Sequence, residues 1–363
     1  MGGNTRVNGI SSLLMDVYRR IDRQRFHFDF YNSSNARGFH EDEILRLGGA
    51  VHYAYSHSRG VARLAHQMWR LSEILSKHGP YDAVHCHYYS ANGFYLLVAM
   101  LHGVPVRVSH CQQAGPAGMS QRKRAVVGFS RTLVRFCATN KLGCCQSASR
   151  FLHDGGDAET LFNAIDYRRF NPAAHSAPDA AAFFDLDPRQ RHIVFVGRLE
   201  PQKNVAFLVE SYSRFLRARG DVRLVIVGTG TLRESLMAQA TAAGLRDSVS
   251  FIDRADDTAQ LLSVADLLVL PSLWEGLPLV LLEAQAMGVP CLVSDRVTND
   301  VNLGLCTYLP LDPRAWTSAT MVVLEAAAPK TARTDTRFDV EHVTTRLAEI
   351  YSGEGHISDA IPC

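Results

Sequence analysis

Pro271-Ser-Leu-Trp-Glu-Gly-Leu-Pro-Leu-Val-Leu-Leu-Glu-Ala-Gln-Ala-Met-Gly-Val-Pro290 is the stretch whose reading decides the fold. Ahead of it, the apolar run Asp266-Leu-Leu-Val-Leu-Pro271 reads as a buried parallel strand. Trp274-Glu275-Gly276 then falls in the loop at that strand's carboxyl end, where open α/β sheets bind ligands. Leu277 to Met287 reads as a helix, with Pro278 in its first turn and Gly288 just past its end. Glu275 precedes this helix and Glu283 sits inside it. Eight helical steps would separate the two carboxylates by roughly 12 Å along the axis, too far for one acid/base pair. That separation suits the two ends of an elongated, hydroxyl-rich ligand. Two glutamates alone would equally suit a helix cap and a solvated helix face.

A second constellation lies upstream, in His192-Ile-Val-Phe-Val-Gly-Arg-Leu-Glu-Pro-Gln-Lys-Asn204. An apolar strand ends at Gly197, and Arg198 and Lys203 follow in a turn leading to a helix over Val205–Arg219. A guanidinium and an ammonium near a helix start form an anion site, the first forked for phosphate and the second a point charge. Strand and helix then alternate through Val222–Val227, Leu232–Ala243, Val249–Asp253 and Thr258–Val264. Pro290–Ser294 closes the core. Gly228 and Gly230 lack the third glycine of a dinucleotide fingerprint and read as a tight turn.

These two motifs resemble those of the family-4 retaining glycosyltransferases of GT-B fold, and Tyr18-Arg-Arg-Ile-Asp-Arg23 with Phe28-Asp-Phe30 resembles the subset that builds capsular polysaccharides and exopolysaccharides. Glu275 and Glu283 match the family's E-x7-E signature, and Gly197-Arg198 with Lys203-Asn204 match its G-R-x4-K-N element. The resemblance implies two Rossmann-like doubly wound parallel-sheet domains facing a cleft. It also implies roles: Arg198 and Lys203 on the donor diphosphate, Glu275 on the transferred sugar, Glu283 on the ribose hydroxyls. Gly276, Leu277 and Pro278 would line phosphate and sugar. Phe251-Ile-Asp-Arg254 stands where the family has Phe-x-Gly beside the nucleotide base, so Arg254 joins the donor-binding set.

The first half of the chain alternates strands (Phe26–Tyr31, Ala50–Tyr55, Asp82–His87, Pro105–Cys111) with helical patterns near Val61–His78 and Ala91–His102. Ile10, Leu13, Leu14, Val17 and Ile21 recur at helical spacing behind the loop Met1–Gly9. Asn8-Gly9 resembles the family's Gly-Gly turn, which places Gly9 at the donor. No strand feeds that loop, so the domain reads as lacking its first strand. His85, His87 and His110 fall near strand carboxyl ends. Val106-Arg-Val-Ser-His110 resembles the family's strand-plus-histidine at the transferred sugar, making His110 a catalytic candidate. No third ligand joins the first two histidines at a recognisable sequence spacing, and no metal or other cofactor is expected.

Glu159 to Pro172 resembles the strand and N-G-I-D turn that closes the family's first domain, and Ala173 to Ala182 reads as a linker. The expected division is 1–172 for the acceptor-side domain, 173–335 for the nucleotide-sugar domain, 336–352 for a helix returning to the first domain, and 353–363 for a flexible tail. Beyond Leu311 the periodic pattern weakens.

With 363 residues, 47% of them hydrophobic, the chain can bury two ordinary cores. Its formal net charge of +2 gives no case for nucleic acid. Eight cysteines without C-x2-C pairing are expected as buried free thiols. No apolar run is long enough to span a bilayer and no signal peptide is read, which leads to an expected cytoplasmic location. Ser120–Phe136 carries five basic and no acidic residues among apolar ones, a pattern suited to an anionic membrane surface. The resemblance implies a peripheral enzyme at the inner face of the cell membrane, moving a sugar from a nucleotide diphosphate-sugar, UDP-linked, to a glycan or lipid-linked glycan. Competing readings are a catalytically silent sugar-nucleotide-binding subunit and a sugar-nucleotide epimerase of similar fold. A dinucleotide oxidoreductase fits least, its fingerprint being incomplete.

Overall fold

The computed structural model describes residues 9–34, 37–38, 40–88, 90–113, 120–153, 158–255, 257–326 and 329–354. It divides into two compact units, Met1–Ala164 with Arg337–Cys363, and Ile165–Thr336. The reading of a missing first strand falls on residues 1–8 and that of a tail on 355–363, both outside the described residues.

The first unit runs α1 (Gly9–Arg20), β1 (Asp29–Asn32), α2 (Glu41–Arg46), β2 (Ala50–Tyr53), α3 (Gly60–His78), β3 (Ala83–Cys86), α4 (Asn92–Leu101), β4 (Val106–Cys111), α5 (Gln121–Cys137), β5 (Asn140–Gly143), α6 (Gln146–His153) and β6 (Glu159–Thr160). All its strand pairs are parallel, in a two-stranded sheet β1-β2 and a four-stranded sheet β3-β4-β5-β6. The alternation at Phe26–Tyr31 is only partly a strand. Phe26 and Phe28 pack around buried Tyr18 instead, with Phe28 stacked 5.1 Å from the tyrosine ring.

The second unit runs α7 (Ala177–Phe183), β7 (Arg191–Val196), α8 (Val205–Ala218), β8 (Val222–Val227), α9 (Arg233–Ala242), β9 (Val249–Ile252), α10 (Thr258–Val264), β10 (Leu267–Leu270), α11 (Leu279–Ala286), β11 (Cys291–Ser294), β12 (Cys306–Leu309) and α12 (Pro313–Ala326). Its six strands stand in the order β12-β11-β10-β7-β8-β9, all parallel. β12 extends the sheet beyond Ser294, where the sequence reading closes it. The weakly patterned α12 is anchored by Trp316, which is fully buried and donates its indole N–H to the Pro310 carbonyl at 2.9 Å.

The division comes at Ala164/Ile165 rather than after Pro172 because the intervening residues hold to the second unit. Tyr167 Oη donates to the Asp335 carbonyl at 3.2 Å, and Arg169 reaches Asp257 Oδ1 at 3.1 Å. The alanine-rich stretch read as a linker is largely helical. Ser176 caps α7 by accepting from the Asp179 N–H, a proline occupies its first turn, and Ala180 and Ala181 are buried.

After the second unit, α13 (Val340–Tyr351) joins the first. Its Val340, Val343, Leu347 and Ile350 share one core with Leu13, Val17, Val106 and Val108. Arg346 grips Glu159 with two bonds of 2.9 and 2.8 Å.

Candidate active site

The strand order of the second unit reverses at one place. From β7 the chain progresses to β8 and β9 on one side and to β10, β11 and β12 on the other. The loops leaving the carboxyl ends of β7 and β10 therefore open at a topological switch point, where crossovers diverge and leave a crevice. Gly197–Asn204 is the first loop and Pro271–Pro278 the second, so both sequence motifs meet there.

Hydrogen bonds lace these loops together. The Leu273 N–H donates to the Gln202 carbonyl at 2.8 Å, and the Gln202 side-chain amide donates to the Trp274 carbonyl at 2.8 Å. Asn204 sits in the left-handed region (φ 52°), which turns the 3-10 segment Pro201–Lys203 into α8. Its amide donates to the Pro271 carbonyl at 3.3 Å. Lys203 Nζ lies 2.6 Å from Glu275 Oε1, and the two side chains are only 13% and 8% exposed. Arg198 is exposed and reaches Gln202 Oε1 at 3.3 Å.

The loop after β8 belongs to the same layer. Glu200 accepts from the Thr231 N–H at 3.1 Å and its hydroxyl at 2.7 Å. A Cβ on Gly228 would stand 1.8 Å from the Gly197 carbonyl oxygen, and one on Gly230 2.3 Å from that of Leu199. These glycines are present because two backbones touch, as their reading as a tight turn requires.

Pro278 caps α11 from outside, one residue ahead of Leu279, so the helix begins slightly later than its sequence pattern suggests. Glu275 and Gly276 remain in the loop, Leu277 and Pro278 are buried, and Glu283 is half-buried in the helix. Ser272, two residues past β10, is fully buried with its hydroxyl unpartnered among the described residues. Arg254 is exposed beyond β9; its neighbour Asp253 pairs with Arg233 at 2.6 Å.

His110 and Gly9 belong to the first unit. Gly9 opens α1. His110 lies on β4, 1% exposed, with the rings of His85 and His87 centred 5.3 and 5.1 Å away. Burial pushes its pKa down to about 3 against the opposing influence of the Leu161 main chain, and lowers those of His85 and His87 well below the ordinary histidine range.

Residues 8–155 match the family model "Glycosyl transferase 4-like domain" and residues 179–300 the model "Glycosyl transferases group 1". The glycosyltransferase EpsF of Bacillus subtilis is 33% identical over 334 residues, 90% of this chain and 86% of that protein. The chain belongs to the family-4 glycosyltransferases of GT-B fold. An Escherichia coli relative of this glycosyltransferase, UDP-Gal:alpha-D-GlcNAc-diphosphoundecaprenol alpha-1,3-galactosyltransferase, is 31% identical over 61% of the chain, which spans 59% of that protein. Among solved structures, Anabaena HepE in complex with UDP and glucose superposes with a TM-score of 0.77 at 18% identity, covering 96% of this chain and 97% of HepE. WaaG, described as a glycosyltransferase involved in lipopolysaccharide biosynthesis, gives 0.67 at 16% identity over 96% and 95%. Both are likenesses of fold.

In this glycosyltransferase the basic segment forms α5, capped by Ser120. Val127 and Val134 face inward, while Phe129 and Phe136 are 58% and 78% exposed. No helix among the described residues is long and apolar enough to cross a membrane. Among the described residues seven cysteines are free thiols, Cys86, Cys111, Cys137, Cys144, Cys145 and Cys291 buried and Cys306 half-buried, while Cys363 lies outside the described residues. Gln202, which ties the two site loops together, and buried Ser272 carry no distinguishing sequence signal. Both are uncharged polar residues whose position depends on the strand order.

Proposed function

We propose that this glycosyltransferase moves a sugar from a nucleotide diphosphate-sugar, UDP-linked, to a hydroxyl of a glycan or lipid-linked glycan, retaining the anomeric configuration, in polysaccharide assembly. The observation that carries this reading is the meeting of Arg198, Lys203 and Glu275 at the switch point of the second unit. Breaking the glycosyl–phosphate bond leaves negative charge on the diphosphate and positive charge on the sugar. Arg198 and Lys203 stabilise the first as it grows, with no metal required. Glu275 faces the sugar, and Glu283 accepts hydrogen bonds from the ribose hydroxyls. The acceptor oxygen bonds to the anomeric carbon on the face the diphosphate leaves, and its proton passes to a departing phosphate oxygen. The UDP-sugar named for the Escherichia coli relative and the UDP bound in HepE support the donor class.

The test is single-turnover transfer from UDP-glucose and UDP-galactose, with Lys203→Ala and Glu283→Ala compared with wild type. Each variant is expected to lower turnover at least tenfold, a loss of roughly 1.4 kcal/mol of transition-state stabilisation. Near-normal rates in both would remove the site assignment. An isomer formed from donor alone would point to an epimerase, and donor binding without transfer to a silent subunit.

A peripheral position at the inner face of the cell membrane accompanies this function. Phe129 and Phe136 stand seven residues apart, close to two helical turns, and project from the same side of a helix rich in Arg and Lys. The protein is expected to co-sediment with phosphatidylglycerol-containing but not neutral vesicles, and to release at high salt. Equal binding to both, or to neither, would end this part of the proposal.

A further inference from the structure

His85 and His87 alternate along β3 and its extension, so they share one face of the sheet. The β3–β4 register pairs Cys86 with Ser109; continued by one residue, it sets His87 opposite His110. Three histidines scattered over the sequence thus converge on one patch. One ring nitrogen from each lies within 4.8 Å of those of the other two. His87 and His110 are 7% and 1% exposed, and the Nε2 atom of His87 has no hydrogen-bond partner among the described residues. Buried orphan nitrogens are costly unless something occupies the space they face.

We propose that His85, His87 and His110 bind one divalent transition-metal ion of borderline softness, zinc being the reference, independently of the donor site. Three imidazoles without a carboxylate suit zinc, cobalt, nickel or copper and do not suit magnesium or calcium. His85 Nε2 and His110 Nδ1 are 3.2 Å apart. Two nitrogens each about 2.0–2.1 Å from a tetrahedral zinc stand roughly 3.3 Å from one another, so this pair is already at ligand spacing. Three protein ligands leave a fourth position for water.

Groups suited to orient the ligands surround the cluster. Tyr351 Oη lies 2.6 Å from His85 Nδ1, where it can accept a hydrogen bond from Nδ1–H, the tautomer that leaves Nε2 free for metal. Gln112 bonds His87 Nδ1 at 3.2 Å, and Asn163 bonds Gln112 at 2.8 Å. With both amides turned over, the two bonds persist in reverse, and His87 Nδ1–H donates to Gln112 Oε1. Its Nε2 lone pair is then free. Such partners fix the tautomer of a metal-bound imidazole. The ion would join the carboxyl ends of β3 and β4 and, through Tyr351, α13.

The full chain, stripped by chelator and dialysed, is titrated with Co2+ and followed by visible absorption, with Zn2+ as competitor. One equivalent should bind with the d–d bands of a low-coordinate nitrogen site, be displaced by Zn2+, and raise the melting temperature. His87→Gln and His110→Gln should lose this signal, while His57→Gln, altering an exposed histidine, keeps it. Gln112→Ala should weaken binding about ten- to a hundredfold. No cobalt signal, or unchanged affinity in both His87→Gln and His110→Gln, would leave the cluster a hydrogen-bonded stack only and overturn the proposal. Should those variants fail to fold, X-ray absorption of the zinc-loaded wild type decides: three nitrogen neighbours from imidazole support it, and a shell of water or sulfur ends it.

Discussion

Lys203 and Glu275, 72 residues apart in the chain, form an ion pair with Nζ 2.6 Å from Oε1, both side chains largely out of water. The sequence motifs assign these residues to different parts of a ligand, diphosphate and sugar, yet they hold each other. Removing either one leaves a partly buried charge without its partner, which costs far more than the pair itself contributes. Lys203→Ala is therefore expected to lower unfolding free energy by on the order of 3 kcal/mol, in addition to its effect on turnover. The double variant Lys203→Met with Glu275→Leu should recover most of that stability and none of the activity. Urea denaturation of Lys203→Met, Glu275→Leu and the double variant measures the coupling. Additive losses would show that the pair carries no such energy.

Arg198 provides the contrast. It is exposed and holds only Gln202 Oε1 at 3.3 Å in the neighbouring loop. Arg198→Ala should therefore change stability by no more than about 0.5 kcal/mol. It should lower kcat/KM for the UDP-sugar at least tenfold, about 1.4 kcal/mol. Arg198→Lys should recover only part, because an ammonium cannot make the two parallel bonds of a guanidinium fork. Denaturation curves and initial rates on the same three proteins test both halves of this expectation.

The second unit was readable in sequence because its strands are buried on both faces and stand out as unbroken apolar runs at β7, β8 and β10. Turn residues between them locate the loops, and the loops hold Arg198, Lys203 and Glu275. What sequence could not convey was pairing. Nothing in Lys203 or Glu275 announces a bond between them, since it depends on β7 lying beside β10. The histidine cluster escaped for the same reason: a search along the chain finds His-x-His and stops, and the third member comes from strand register. The stretch Ala173–Ala182 misled because alanine-rich composition with proline suggests a linker, whereas Ser176 and the following proline act together as a helix start.

Gly228 tests the contact between the β7 and β8 loops. Its φ of +149° and the Gly197 carbonyl oxygen 1.8 Å from where a Cβ would stand leave no room for any side chain. Gly228→Ala must push the two backbones apart, and Lys203 lies on the displaced loop. The variant is expected to lose on the order of 2–3 kcal/mol of stability. Donor affinity should fall although no atom proposed to touch the donor has changed. Gly220→Ala, where a Cβ would meet nothing within 4 Å, is the matched control and should melt within a few degrees of wild type. Differential scanning calorimetry with and without UDP reports both quantities.

His153 sets a pH dependence with a definite sign. Its side chain is 6% exposed and bonds the Leu142 carbonyl through Nε2 at 3.0 Å. Burial lowers its pKa to about 4, against the help of that carbonyl, with Lys141 and Arg131 adding to the shift. Above the unfolded value, near 6.5, folded and unfolded chains are both neutral here and the residue makes stability independent of pH. As pH falls from about 6.5 toward 4, the unfolded chain takes up a proton that the folded one refuses, so stability is lost through that window. The full span is worth roughly 3 kcal/mol, of which about 2 kcal/mol is reached by pH 5. His153→Gln, which cannot titrate, should therefore show a smaller drop in urea-unfolding free energy between pH 7 and pH 5 than wild type, by about 2 kcal/mol. His85, His87, His110 and His192, whose pKa values are lowered in the same direction by burial, add to the slope that remains. An identical slope in variant and wild type would mean that His153 takes up its proton in the folded chain as readily as in the unfolded one.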